Sequence, residues 1–191
     1  RAPGLGYEEQ GIKMERGFVL TDERLRTNVP NVFAVATSCP PPARAPRLPA
    51  GHLRRRGDRR QEPAVIDELG IPRVTYSNPE VASVGLTEAK AREQYGDKVK
   101  TYNYNLGGNG KSQILKTTGF IKLVGVEDGP VVGVHMVGAR VGELIGEAQL
   151  IYNWEAFPGE VAQLVHAHPT QNEALGEAHL ALAGKPLHAH A

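Results

Sequence analysis

The chain has 191 residues, a formal net charge of +1, 40% hydrophobic residues and a single cysteine, Cys39. That length allows one good core or two small ones, and the balanced charge sets up no overall field toward nucleic acid. One cysteine excludes an internal disulfide framework and a multi-cysteine metal site, and no run is long or apolar enough to span a bilayer.

No signal peptide opens the chain, so a cytoplasmic protein is expected. Its first residue, Arg1 rather than methionine, points to a piece of a longer protein. Residues 7–20 read as turn and strand, with Gly11-Ile12 leading into Gly17-Phe18-Val19-Leu20. Thr27 to Asn31 is a turn, and Val32-Phe33-Ala34-Val35 is a short β run of the kind that ends inside a parallel sheet. Residues 36–63 are Pro- and Arg-rich, with Cys39-Pro40-Pro41-Pro42 and then Arg54-Arg55-Arg56-Gly57-Asp58-Arg59-Arg60. They show neither apolar period, and composition alone predicts disorder or a basic patch.

From Ala64 to about Lys185 the composition is globular again. Pro72 to Tyr76 reads as a strand. Thr87 caps a helix that starts at Glu88 and ends at Tyr95-Gly96. Val99 to Leu106 alternates as a strand and stops at Gly107-Gly108-Asn109-Gly110. Phe120 to Val124 and Val131 to Val137 are two more strands joined by an Asp128-Gly129 turn, a hairpin signal. Val141 to Trp154 carries Leu144, Ile145, Ala148, Ile151 and Tyr152 at helical spacing. Glu160 to Val165 is a short helix, and a last one runs from Glu173 to Ala183. Strands and helices in this series predict an α+β domain, an antiparallel sheet with flanking helices.

Several motifs invite chemistry. Gly107-Gly108-Asn109-Gly110-Lys111-Ser112 lacks the spacing of a phosphate loop and reads as a mobile loop between strands. Gly138, Gly142 and Gly146 recur at intervals of four, as on a helix face that lets another backbone approach, and a subunit contact is expected there. His135 lies in a strand and reads as core or interface. His166 and His168 flank Ala167, and His188 and His190 flank Ala189, but no acidic or sulfur partners stand at ligand spacing and no metal site is expected. The arginine run lacks interleaved aromatics, so nucleic-acid binding is not expected.

His168-Pro169-Thr170-Gln171-Asn172-Glu173 carries the most chemistry. Pro169 fits the first position of a helix, which would put His168 at the cap and Glu173 one turn in. A carboxylate bonded to one ring nitrogen fixes the tautomer and makes the other nitrogen the better base. Spacing alone better fits a histidine that merely caps a helix beside a solvated glutamate.

Arg24 to Val35, Asn78-Pro79-Glu80-Val81-Ala82-Ser83-Val84-Gly85-Leu86-Thr87-Glu88, Gly133 to Gly138, and His166-Ala167-His168-Pro169-Thr170 with Glu173 together resemble the flavin-dependent pyridine nucleotide–disulfide oxidoreductases. Within that family they are most similar to the branch that oxidises dihydrolipoamide for the 2-oxoacid dehydrogenase complexes. The resemblance covers the end of a flavin-binding α/β domain (1–35) and a dimerisation domain (64–191). It implies FAD and NAD as cofactors of the whole enzyme, a homodimer in which one subunit completes the other's active site, and lipoyl domains as partners. It also implies that His168 takes a proton from the dithiol while Glu173 holds its imidazole. Gln171 and Asn172 do not discriminate. A related glutathione- or mercury-reductase type, or a non-catalytic dimerisation module, remains open. The phosphate-cradling glycine turn and the redox cysteine pair of the family are not in this sequence, and Cys39 cannot replace a pair. The family's flavin-contacting Gly-Asp after Ala-Val is replaced by Ala36-Thr37. No flavin site is therefore expected intact, and the chain alone is expected to be inactive.

That replacement has a reading in the gene. Gly-Asp-Ile-Val-Pro in GC-rich codons, read one base out of phase, becomes Ala-Thr-Ser-Cys-Pro, the sequence of Ala36 to Pro40. Suitable codons for Ala43 to Arg60, shifted by one base, give Leu-Ala-His-Arg-Gly-Phe-Gln-Gln-Gly-Ile-Phe-Val-Ala-Glu-Glu-Ile-Ala-Gly, an amphipathic helix. Residues 36–63 are therefore expected to be a frame-shifted segment unable to form the core that helix would build.

Overall fold

In a computed structural model, residues 5–22, 24–34 and 67–188 are described. Val35, Ala36, Thr37, Cys39, the arginine run, the frame-shift reading of 36–63 and His190 lie outside the described residues. The chain divides into two units, Arg1–Ile71 and Pro72–Ala191.

In the first unit, strands β1 (Met14–Glu15) and β2 (Phe18–Val19) pair antiparallel. Arg16 and Gly17 between them have φ of 50° and 81°. Positive φ at both central positions makes a turn whose twist matches that of the strands. Val19 and Ala34 are buried, with Tyr7, Ile12 and Met14 packed against them. The Asn28 amide accepts from the Lys13 N–H and donates to the Gly11 carbonyl, each at 2.7 Å. The expected strand from Val32 does not develop among the described residues: Phe33 makes one isolated antiparallel bridge with Arg26. A strand needs partners along its ladder, and among the described residues this segment has only that bridge.

The second unit is a five-stranded antiparallel sheet in the order β3-β4-β7-β6-β5. Its strands are β3 (Arg73–Thr75), β4 (Glu80–Gly85), β5 (Val99–Asn105), β6 (Gly119–Val126) and β7 (Val131–Gly138). Strand β4 is not among the strands expected from the sequence, and side chains alternating along the strands give the sheet two faces. Ala82 and Met136, Val84 and Val134, Ile121 and Met136, and Leu123 and Val134 are directly opposed pairs. These side chains form the core with Val141, Leu144, Ile145, Ala148 and Ile151 of helix α3 (Val141–Asn153) and Ala174, Leu175 and Ala178 of helix α5 (Glu173–Leu182). Helix α1 (Glu88–Tyr95) begins where expected, with the Thr87 hydroxyl accepting from the Lys90 N–H. It is tied to the other face by Glu88 and Lys122, 2.6 Å apart. Also on that face, His135 Nε2 donates to the Leu86 carbonyl at 2.9 Å, so its ring is a satisfied structural group.

Three expectations change. Residues 110–114 are not a mobile loop but a short helix, α2 (Gly110–Ile114), because the Asn109 side chain accepts from the Ser112 N–H and caps it. The helix expected from Glu160 starts earlier, as α4 (Pro158–Val161), where Pro158 sits in the first turn and Glu160 Oε2 accepts from the Phe157 N–H. The glycines at intervals of four do not share a helix: Gly138 ends β7, and only Gly142 and Gly146 lie on α3. Gly142 admits its own chain, since a Cβ there would stand 3.0 Å from Glu80 Oε2 and from Val74, whereas Gly146 faces open space.

Candidate active site

Four elements converge on one cleft of about 360 Å³: β5, α2 with its Asn109 cap, the segment between α4 and α5, and α5 itself. Tyr104, Asn109, His166, His168, Glu173 and Glu177 line it. Pro169 does not open the helix. Helix α5 begins at Glu173 with Asn172 at its cap, and residues 169–172 are bent, non-helical chain. Glu173 is thus the first helical residue, where a carboxylate is favoured by the positive end of the helix dipole.

The structure brings the two expected residues together. His168 Nδ1 lies 2.8 Å from Glu173 Oε1. The other carboxylate oxygen, Oε2, accepts from the Thr170 N–H at 2.7 Å. That backbone bond first, and the His168 contact second, hold the Glu173 carboxyl below its usual range. An ionised carboxylate only accepts, so Nδ1 carries the proton and Nε2 bears the lone pair. The His168 side chain is 79% exposed, and its Nε2 has no partner among the described residues. The arrangement can accept a proton at Nε2 and stabilise the resulting imidazolium.

The loop that carries His168 is held by side chains that sequence reasoning did not single out. Asn109 Nδ2 donates to the Thr170 carbonyl at 3.1 Å, and buried Gln171 donates to the Ala139 carbonyl at 3.0 Å. The Thr170 hydroxyl donates to the Ala167 carbonyl at 2.6 Å. On α3, Glu147 faces His166 Nε2 at 2.7 Å and accepts from Asn172 Nδ2 at 2.9 Å. His188 Nδ1 lies 2.9 Å from Glu177 Oε1. Tyr104 is pushed up first by burial, then by the charges of Glu177, Tyr102 and Glu173. The three described histidines of the two sequence pairs, His166, His168 and His188, therefore each face their own glutamate.

The family described as pyridine nucleotide-disulphide oxidoreductase, dimerisation domain, matches residues 71–179. The chain belongs to this family. Over 187 residues it is 39% identical to a dihydrolipoyl dehydrogenase of Bacillus subtilis, covering 96% of this chain and 40% of that protein. A dihydrolipoyl dehydrogenase of Corynebacterium glutamicum is 34% identical over 198 residues, again covering 96% of this chain and 40% of the relative. The chain thus spans about 40% of the length of these curated relatives. The fold is shared with LpdA of Mycobacterium tuberculosis, at a TM-score of 0.84 and 22% identity, covering 95% of this chain and 40% of that one. The α+β antiparallel arrangement expected from the sequence is therefore that of the dimerisation domain.

Proposed function

We propose that this chain supplies the acid–base part of dihydrolipoamide oxidation in a dihydrolipoyl dehydrogenase. His168 Nε2 takes a proton from one thiol of the substrate, and Glu173 holds the ring in the productive tautomer and balances the imidazolium charge. The observation that carries this is the 2.8 Å contact between Nδ1 and Oε1, on an exposed ring that lines the cleft. The thiolate so formed is the nucleophile of disulfide exchange, because thiolate and not thiol reacts.

FAD and NAD do not fit the described residues. No Gly-x-Gly-x-x-Gly turn occurs in the sequence, and Cys39 has no second cysteine to pair with. The resemblance assigns the glycine turn and the cysteine pair to regions of the relatives that this chain does not span, and at the one flavin-contacting position it does span, Ala36-Thr37 replace Gly-Asp. The same resemblance supports a homodimer through the dimerisation domain and lipoyl domains of 2-oxoacid dehydrogenase complexes as the substrate carriers. Among the described residues no helix is long and apolar enough to cross a membrane.

The test places residues 72–188 in the corresponding stretch of the Bacillus subtilis relative and follows NAD+ reduction by dihydrolipoamide. His168→Gln is expected to lower turnover by about 100-fold or more, the usual contribution of a positioned acid–base group. Turnover close to that of the parent hybrid refutes the assignment. The chain by itself, with FAD added, is expected to give no NAD+ reduction.

A further inference from the structure

Glu147 stands in the middle of α3, on a different element from either member of the His168–Glu173 pair. Its Oε1 contacts His166 Nε2 at 2.7 Å and its Oε2 accepts from Asn172 Nδ2 at 2.9 Å. These partners bracket His168 in the chain, one before it and one after. A single half-buried carboxylate therefore holds both ends of the segment that presents the imidazole.

Two further observations point the same way. Asn172 occupies the cap position of α5, where its side chain would ordinarily accept from the helix's own N–H groups. It makes no such bond and reaches across to α3 instead. Gly176, inside α5, lies against His166: a Cβ there would stand 2.9 Å from its Nδ1. Glycine is unfavourable inside a helix, so its presence has a packing reason in the ring it admits. The ring is wedged between Glu147 and the α5 backbone, and the 166 side chain is only 12% exposed.

We infer that Glu147 is a positioning residue for His168: by clamping His166 and Asn172 it keeps Nδ1 on Glu173, which leaves Nε2 as the basic nitrogen. Asn109, Thr170 and Gln171 secure the interior of the loop, and Glu147 secures its ends. This rests on the acid–base reading of His168 and adds a residue that touches neither substrate nor the reacting proton.

The test uses the full chain with 15N-labelled histidine and 13C-carboxyl-labelled glutamate. The parent is expected to show neutral His168 protonated at Nδ1 and a Glu173 carboxyl titrating below the usual range. Glu147→Ala and Asn172→Ala, with folding checked by the amide spectrum, are expected to lose the Nδ1–H preference and to move the Glu173 midpoint upward. Glu147→Gln can make both contacts once the Asn172 amide turns over, and it is expected to restore the parent pattern. An unchanged pattern in Glu147→Ala, or in Asn172→Ala should the first variant unfold, overturns the inference. Loss in Glu147→Ala without recovery in Glu147→Gln assigns the effect to charge rather than held geometry and overturns it too. A parent chain with no tautomer preference at His168 would instead sink the histidine–glutamate pair itself.

Discussion

Replacing Glu173 by glutamine is the sharpest perturbation of the proposed site, because it changes one atom type and no shape. The carboxylate accepts two hydrogen bonds, from the Thr170 N–H at 2.7 Å and from His168 Nδ1 at 2.8 Å. A glutamine can accept only one of them. The Thr170 N–H is a fixed backbone donor, so the amide oxygen faces it and the NH2 group faces the imidazole. Nδ1 must then accept, the neutral ring carries its proton on Nε2, and that nitrogen is no longer a base. Loss of a positioned base is worth at least about 100-fold in turnover, or about 2.7 kcal/mol at 1.36 kcal/mol per tenfold. The fold loses far less, about 1 kcal/mol, comparable to loss of a helix-cap bond, and the melting temperature falls by a few degrees. Turnover of the hybrid enzyme by dihydrolipoamide-dependent NAD+ reduction, with the 15N pattern of His168 alongside, checks both parts. A Glu173→Gln hybrid that keeps its turnover, or an imidazole still protonated at Nδ1, refutes the reasoning.

Glu173 also sets a pH dependence. Its folded-state pKa is depressed, so the stability it contributes is fully present above the ordinary carboxylate value of 4.5 and is lost as pH falls through the folded value. The stability difference between the parent and Glu173→Gln is therefore expected to shrink on acidification in denaturant titrations; a gap that widens contradicts the cause given. Gly133→Ala is expected to destabilise the domain by about 3 kcal/mol, at the upper end of overpacking effects. The added Cβ would lie 2.0 Å from the Leu86 carbonyl oxygen, which His135 also contacts, and thermal melting reads the effect. For residues 36–63 we propose the shifted reading frame, and resequencing the gene against close relatives is expected to reveal compensating insertions or deletions; an uninterrupted frame without them removes the idea.

Much of the dimerisation domain was legible because its signals are local. Thr87 and Gly96 bound α1 through caps that act within one turn. Asp128, with φ of 54°, sits in the turn between β6 and β7. The alternation of Ile121, Leu123, Val134 and Met136 assigns the buried face of the sheet without reference to any partner. The spacing of His168 and Glu173 admitted a pair, because a first-turn glutamate can fold back over so short a distance, and the family resemblance of the motif selected it. The start of α5 was misread for a related reason. Pro169 is compatible with a helix start, yet compatibility does not nucleate one, and Gln171 and Asn172 are committed to the Ala139 carbonyl and to Glu147.

By itself the sequence determined four of the five strands of the sheet, the caps of α1 and the hairpin turn, since periodicity and capping depend on neighbours a few positions away. Strand β4 and the N-terminal caps of α2 and α5 escaped it. The two residues proposed for proton transfer came from the family resemblance of their motif. Tertiary structure decided what holds that pair in place. Asn109 meets Thr170 across 61 positions, Gln171 meets Ala139 across 32, and Glu147 meets His166 and Asn172 across 19 and 25. No helical or strand period links residues so far apart. They become neighbours only when α3 and α5 bury their apolar stripes on one face of the sheet, and that packing fixes which polar groups remain close enough to bond.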